Sequence, residues 1–136
     1  MVDAFTAAKT VADRQTATLE QAILAEFMYD GGYVRHLARM REMYAERRAQ
    51  VVAALETHVG IAPQVAAGGL HVVLPLGAEV DDVAVAAAAE RVTVTAPALS
   101  EFYLGAPRRG LVLGFGAVQR AAIVRAARAL GTVVAG

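Results

Sequence analysis

Arg108 and Arg109 stand side by side just ahead of an apolar run, Leu111–Phe115. Two guanidinium groups held at the end of a sheet can grip a carboxylate or a phosphate through parallel hydrogen bonds. Tyr103 lies nearby in the same loop and could add its hydroxyl. A solvated loop is the plainer reading of the same residues. Lys9, the only lysine in the chain, could form an imine with an aldehyde if it sat in an apolar pocket. It falls instead on a short, polar-faced helix near the terminus, where a surface lysine is the expectation. His36, His58 and His71 have no partner at a metal-ligand spacing, and nothing resembles HExxH. His36 and His58 belong on helix surfaces, and His71 on a strand, half-buried and turned away from its leucine side. Ser100 is the only serine and lacks a GxSxG elbow, which argues against a hydrolase triad. Asp81 and Asp82 diverge as neighbours do, and helix capping accounts for them better than paired catalysis. Gly114-Phe115-Gly116 invites a dinucleotide reading, but the third glycine of GxGxxG would fall at Gln119. A tight turn explains it.

The elements that must position these residues are dominated by one stretch. Residues 33–59 contain no Gly or Pro and lie between Gly31-Gly32 and Gly60. Tyr33, Leu37, Met40, Tyr44, Val51, Leu55 and Val59 fall on one stripe of a helix of roughly 40 Å, with charged residues opposite. A helix of that length serves to span two bodies. Before it, residues 2–13 predict a short helix. A second begins at Thr18, whose hydroxyl and Gln21 form a capping box, and ends at Gly31-Gly32. After Gly60, residues 70–76 read as a strand with Leu70, Val72, Leu74 and Leu76 on one face and Pro75 at its end or on an edge. Asp81 caps a helix over 83–91, and 92–96 reads as a second strand stopped by Pro97. Residues 111–115 form a third. A last helix from about Val118 buries Ile123, Ala126 or Ala127, Leu130 and Val134. The fold class is α/β: a long linking helix plus a small β-α-β-β-α domain. Its first two strands are expected to be parallel, with a right-handed crossover.

The chain has 136 residues, one domain's worth, and is 57% hydrophobic with a mean hydropathy of +0.44. Such apolarity hints at faces meant for a partner. Thirteen basic side chains balance thirteen acidic ones, so no global field draws it to nucleic acid or to an anionic membrane. Cysteine is absent, which removes disulfides and thiolate chemistry. The uncharged run from Thr57 to Ala78 is broken by prolines and glycines and does not suit a membrane span. Asp3, Asp13, Glu20 and Glu26 do not suit a secretory signal. A soluble, cytoplasmic protein is expected.

The order of pieces resembles one family closely. Residues 16–55 (TATLEQAILAEFMYDGGYVRHLARMREMYAERRAQVVAAL), 66–76 (AAGGLHVVLPL), 96–104 (APALSEFYL) and 107–118 (PRRGLVLGFGAV) are similar to the C-terminal part of MocR-type members of the GntR family of transcription regulators. The specific part is the run through His36, Arg39, Met40, Arg41, Tyr44, Ala45, Glu46, Arg47 and Arg48, with the glycine-leucine-histidine strand. Such regulators join a winged helix to a body resembling a fold-type I aminotransferase that binds pyridoxal 5'-phosphate. The resemblance implies a tail of the large domain over 1–32, the linking helix over 33–59 and the small C-terminal domain over 60–136. It implies a non-catalytic fragment that forms one wall of an effector pocket, with Arg108, Arg109 and Tyr103 as contacts. It also implies a homodimer and a small amino-acid or pyridoxal-type effector in the parent, with no nucleic-acid contact by this part. The family's cofactor lysine follows a serine in a Ser-x-x-Lys segment, which FTAAKTVAD around Lys9 does not match, so no cofactor is expected here and pyridoxal 5'-phosphate is expected in the parent. The R-x-x-F arginine that holds a substrate carboxylate in aminotransferases corresponds to Val112. The rival expectations are the small domain of a genuine aminotransferase and a free-standing oligomerisation module.

Overall fold

The computed structural model of the chain describes residues 2–13 and 17–136. Their elements run α1 (Val2–Asp13), α2 (Thr18–Tyr29), α3 (Gly32–His58), β1 (Gln64–Val65), β2 (His71–Pro75), α4 (Asp82–Arg91), a 3-10 turn (Leu99–Phe102), β3 (Gly110–Gly114) and α5 (Arg120–Ala135). The chain forms two compact units, and the division falls inside α3, after Met40.

The first unit holds α1, α2 and the start of α3. The expected capping box at Thr18 is not formed. Ala17 occupies the cap position without a side-chain bond, Thr18 is already the first helical residue, and the Gln21 amide that its hydroxyl was expected to meet donates to the Ala17 carbonyl at 3.1 Å. Between α2 and α3, Gly31 adopts φ +74°, a left-handed conformation that a side chain would strain. Asp30 accepts the Gly32 amide at 2.6 Å through Oδ1. The Phe27 ring meets Tyr33 edge-on at 6.4 Å between centroids. A Cβ on Gly32 would collide with that ring.

The second unit, Arg41–Gly136, holds the core. Its sheet has the order β1-β2-β3 and is antiparallel throughout. The register pairs Val72 with Leu113 and Leu74 with Leu111, so these four side chains share one face. Val72, Leu74 and Leu111 are buried there against Val51, Ala54 and Leu55 of α3, Ala89 of α4, and Ile123, Ala127 and Leu130 of α5. Pro75 sits at the end of the central strand. The amide of Leu76 points to β3, where Arg109 accepts it at 3.1 Å, so the nitrogen of Pro75 faces the other side. There β1 has already ended at the Gln64–Val73 pair, and the missing N–H costs the sheet nothing.

After Gly60 the order of elements is β-β-α-β-α, not β-α-β-β-α. The expected strand over 92–96 does not form, and with it goes the parallel crossover. Val92 is the C-cap of α4, Thr93 turns to φ +63°, and the Val94 amide returns to Ala89 at 3.0 Å. Those residues complete the helix end. The segment reaches the sheet only later, where Pro97 accepts the Val112 amide at 2.9 Å and Ala98 makes an isolated bridge to Leu111. A two-residue strand, β1, takes the place on the far edge. Among the described residues no helix is long and apolar enough to cross a membrane.

Candidate functional site

The N-terminus of α4 separates the two adjacent aspartates. Asp81 caps the helix, its Oδ1 accepting the Val83 and Ala84 amides at 3.1 Å each. Asp82 does something else. It is fully buried, and four donors converge on its two oxygens. The Ser100 hydroxyl (2.7 Å) and Arg109 Nη1 (3.0 Å) donate to Oδ1. The amides of Ser100 (3.0 Å) and Gly110 (3.2 Å) donate to Oδ2. Burial by itself would raise the pKa of this carboxyl. The Ser100 amide, the Ser100 hydroxyl, the Gly110 amide and Arg109 outweigh it, and the value is lowered from 3.8 to about 2. An ionised carboxylate therefore ties α4, the 3-10 turn and the start of β3 together.

The structure places Arg108 and Arg109 on different partners. Arg109 pairs with Asp82 and keeps its side chain 34% exposed. With five N–H donors in a guanidinium, one committed nitrogen leaves others for a ligand. Arg108 is exposed and donates through Nη2 to Gln64 Oε1 on β1 at 3.2 Å. The two do not form one fork aimed at one point. Tyr103 follows the 3-10 turn, is exposed, and is fixed by its amide on Ser100 at 3.2 Å. Asp82 thus holds Arg109 directly and acts on Arg108 and Tyr103 only indirectly, by anchoring the two ends of the 100–110 loop that carries them.

Residue-type reasoning assigned both aspartates to capping and gave Ser100 no role. The available signal was that one helix N-terminus has use for one capping side chain, which leaves the second to be explained. His71 is exposed rather than half-buried. Its ring lies against Gly114, across the β2–β3 pair, where no side chain opposes it to cover it. Lys9 is exposed on α1. Val112 is half-buried on β3, opposite Val73.

No family model matches the chain. In sequence it is similar to the probable rhizopine catabolism regulatory protein MocR of Rhizobium meliloti, with 31% identity over 103 residues, covering 74% of this chain and 21% of that protein. In fold it is similar to the multiple substrate aminotransferase of Thermococcus profundus, with a TM-score of 0.81 at 24% identity over 94% of this chain and 32% of that one. The kynurenine aminotransferase of Pyrococcus horikoshii matches with a TM-score of 0.81 at 21% identity over 94% of this chain and 32% of its own. LysN, the α-aminoadipate aminotransferase of Thermus thermophilus, solved with N-(5'-phosphopyridoxyl)-L-leucine, matches with a TM-score of 0.81 at 25% identity over 95% of this chain and 34% of its own. The chain spans well under half the length of each of these proteins. It has the α/β fold found in part of the aminotransferases, and in sequence it resembles a stretch of a MocR-type regulator.

Proposed function

We propose that this chain is the linking helix and small domain of the effector-sensing, aminotransferase-like part of a MocR-type regulator of the GntR family, and that it does not catalyse by itself. The observation that carries this reading is its 31% identity to a regulator. The likeness to aminotransferases is one of fold, at lower identity. In this reading the tail of the large domain ends near residue 32, the linking helix runs over 33–59, and residues 60–136 form the small domain of a cytoplasmic homodimer.

Pyridoxal 5'-phosphate would be held elsewhere in the parent. The residues of this chain do not fit it: the only lysine, Lys9, is exposed rather than set in a pocket, and an imine-forming lysine needs a desolvated one. What the chain would supply is one wall of the effector pocket, with Arg108 and Tyr103 as exposed contacts for an anionic amino-acid or pyridoxal-type effector. Arg109 would contribute the nitrogens that Asp82 does not occupy. Replacing Arg108 and Arg109 together by alanine should weaken the effector response of the parent. Arg108→Ala alone should do so without loss of stability, because Asp82 keeps its counter-ion. An unchanged response in both variants would remove these residues from the site.

The test of the whole reading is the coding DNA upstream of Met1. An open frame running back through a serine-lysine cofactor segment to a basic winged helix is the expected result. The same frame without the winged helix would replace the regulator with an aminotransferase. A stop codon and ribosome site directly upstream would overturn both in favour of a free-standing module.

A further inference from the structure

A second basic site lies within the unit that starts at Arg41. There an open cleft of about 560 Å3 is lined by Arg41, Tyr44 and Arg48 of α3, by Gly68 and Gly69 of the connector ahead of β2, and by Phe115. Steps of three and four residues put Arg41, Tyr44 and Arg48 on one stripe of the helix. The two arginines start roughly 10 Å apart along it, within reach of one ligand for side chains of that length. Among the described residues no carboxylate lines the cleft. Among the described residues neither arginine takes part in an ion pair. Their neighbour Arg47 behaves differently: it donates to the carbonyls of Phe115 and Gly116 and lies over the Tyr44 ring at 5.8 Å. It is spent on fastening α3 to the turn after β3, so the wall that carries Arg41 and Arg48 is already in place.

The opposite wall is backbone. Gly69 adopts φ +90°, and a Cβ on Gly68 or Gly69 would meet nothing within 4 Å. Among the described residues the amides of Gly68 and Gly69 have no intramolecular acceptor. Gly68 and Gly69, with unpaired amides, line the same cleft as two arginines that make no ion pair among the described residues, a combination suited to an anion. Tyr44 and Leu70 add an apolar surface, with the buried Phe115 behind them.

We propose that this cleft binds a small organic anion, its phosphate or carboxylate group on Arg41, Arg48 and the glycine amides, and its apolar body against Tyr44 and Leu70. The site belongs to one unit of this chain and stands whether the parent is a regulator or an enzyme. Amide-resolved NMR titration of the full chain with phenyl phosphate and with benzoate tests it. Saturable shifts at Gly68 and Gly69 are expected, and the tighter of the two ligands assigns the phosphate or carboxylate class. Arg41→Ala with Arg48→Ala should weaken binding by tenfold or more. Gly68→Val, which adds bulk into open space, should weaken it in a protein whose remaining spectrum is unchanged. Arg125→Ala with Arg128→Ala, on the exposed side of α5, should have no effect. Titrations without saturable shifts at the two glycines would overturn the proposal. So would Arg41/Arg48 and Arg125/Arg128 variants that lose affinity equally, which would mean diffuse attraction to a basic surface.

Discussion

Asp82 concentrates more structure on one side chain than any other described residue. Its folded pKa, about 2 against an ordinary 3.8, sets the sign of its linkage to pH. A carboxylate with a depressed folded pKa contributes stability that is complete above the unfolded value and is lost as pH falls through the folded one. Urea denaturation followed from pH 5 down to pH 2 should therefore show a loss of about 2 kcal/mol attributable to this group. Asp82→Ala should cost about 3–5 kcal/mol at neutral pH, because it strands Arg109 and leaves the Ser100 and Gly110 amides without an acceptor. It should also flatten the acid limb. An acid limb unchanged in that variant would mean that other carboxylates govern it. The sequence made Asp81 legible because a helix N-cap is a local feature. Asp82 depends on partners at Ser100, Arg109 and Gly110, brought in by the 3-10 turn and β3. No spacing rule reaches that far, and for the same reason Arg108 and Arg109 could be read as one fork although the fold gives them separate partners.

Elements with strong local signals are the ones the sequence predicts well. α3 is bounded by glycines and carries a single apolar stripe. β2 alternates, with Val72 and Leu74 buried and His71 exposed. Residues 92–96 have the composition of a strand but follow α4 so closely that they complete its C-terminus, and a composition rule does not weigh that competition. β1, with two exposed residues, carries no hydrophobic pattern at all. The contact between α3 and α5 was equally invisible, because it rests on the absence of a side chain. A Cβ on Gly131 of α5 would lie 2.1 Å from the His58 carbonyl at the end of α3. Backbone, unlike a long side chain, cannot rotate away. Gly131→Ala should thus cost about 1–3 kcal/mol through overpacking, although alanine is the better helix former. Gly105→Ala, where an added Cβ meets nothing within 4 Å, should stay within about 0.5 kcal/mol of the parent. Equal melting temperatures for the two variants would show that the helices separate at no cost, and the close crossing would lose its role in the core.

For the molecule as a whole, the two units differ in how they treat apolar side chains. The unit from Arg41 onward gathers Leu55, Val72, Leu74, Leu111 and Leu130 in one core. In the other, α2 has no buried residue, and Phe5, Val11, Leu19 and Ile23 are 73%, 87%, 70% and 61% exposed. Single exposed apolar residues are ordinary. Two successive twelve-residue helices in which no described residue is buried are not, since helices of that length are marginal in water without a packed face. In the proposed parent the rest of the large domain would cover them. For the chain in solution by itself, a second copy is the available cover. Sedimentation at micromolar concentration should show species larger than a monomer. Phe5→Glu with Ile23→Glu should return the chain to a monomer while leaving urea unfolding of the second unit unchanged, because neither residue belongs to its core. Hydrogen exchange should find the α1 and α2 amides protected only in the associated form. A monomeric chain with those amides protected would mean that the helices are stable as they stand. The case for a face awaiting the remainder of a larger domain would then fail, while the core built on Leu74, Leu111 and Leu130 would be untouched.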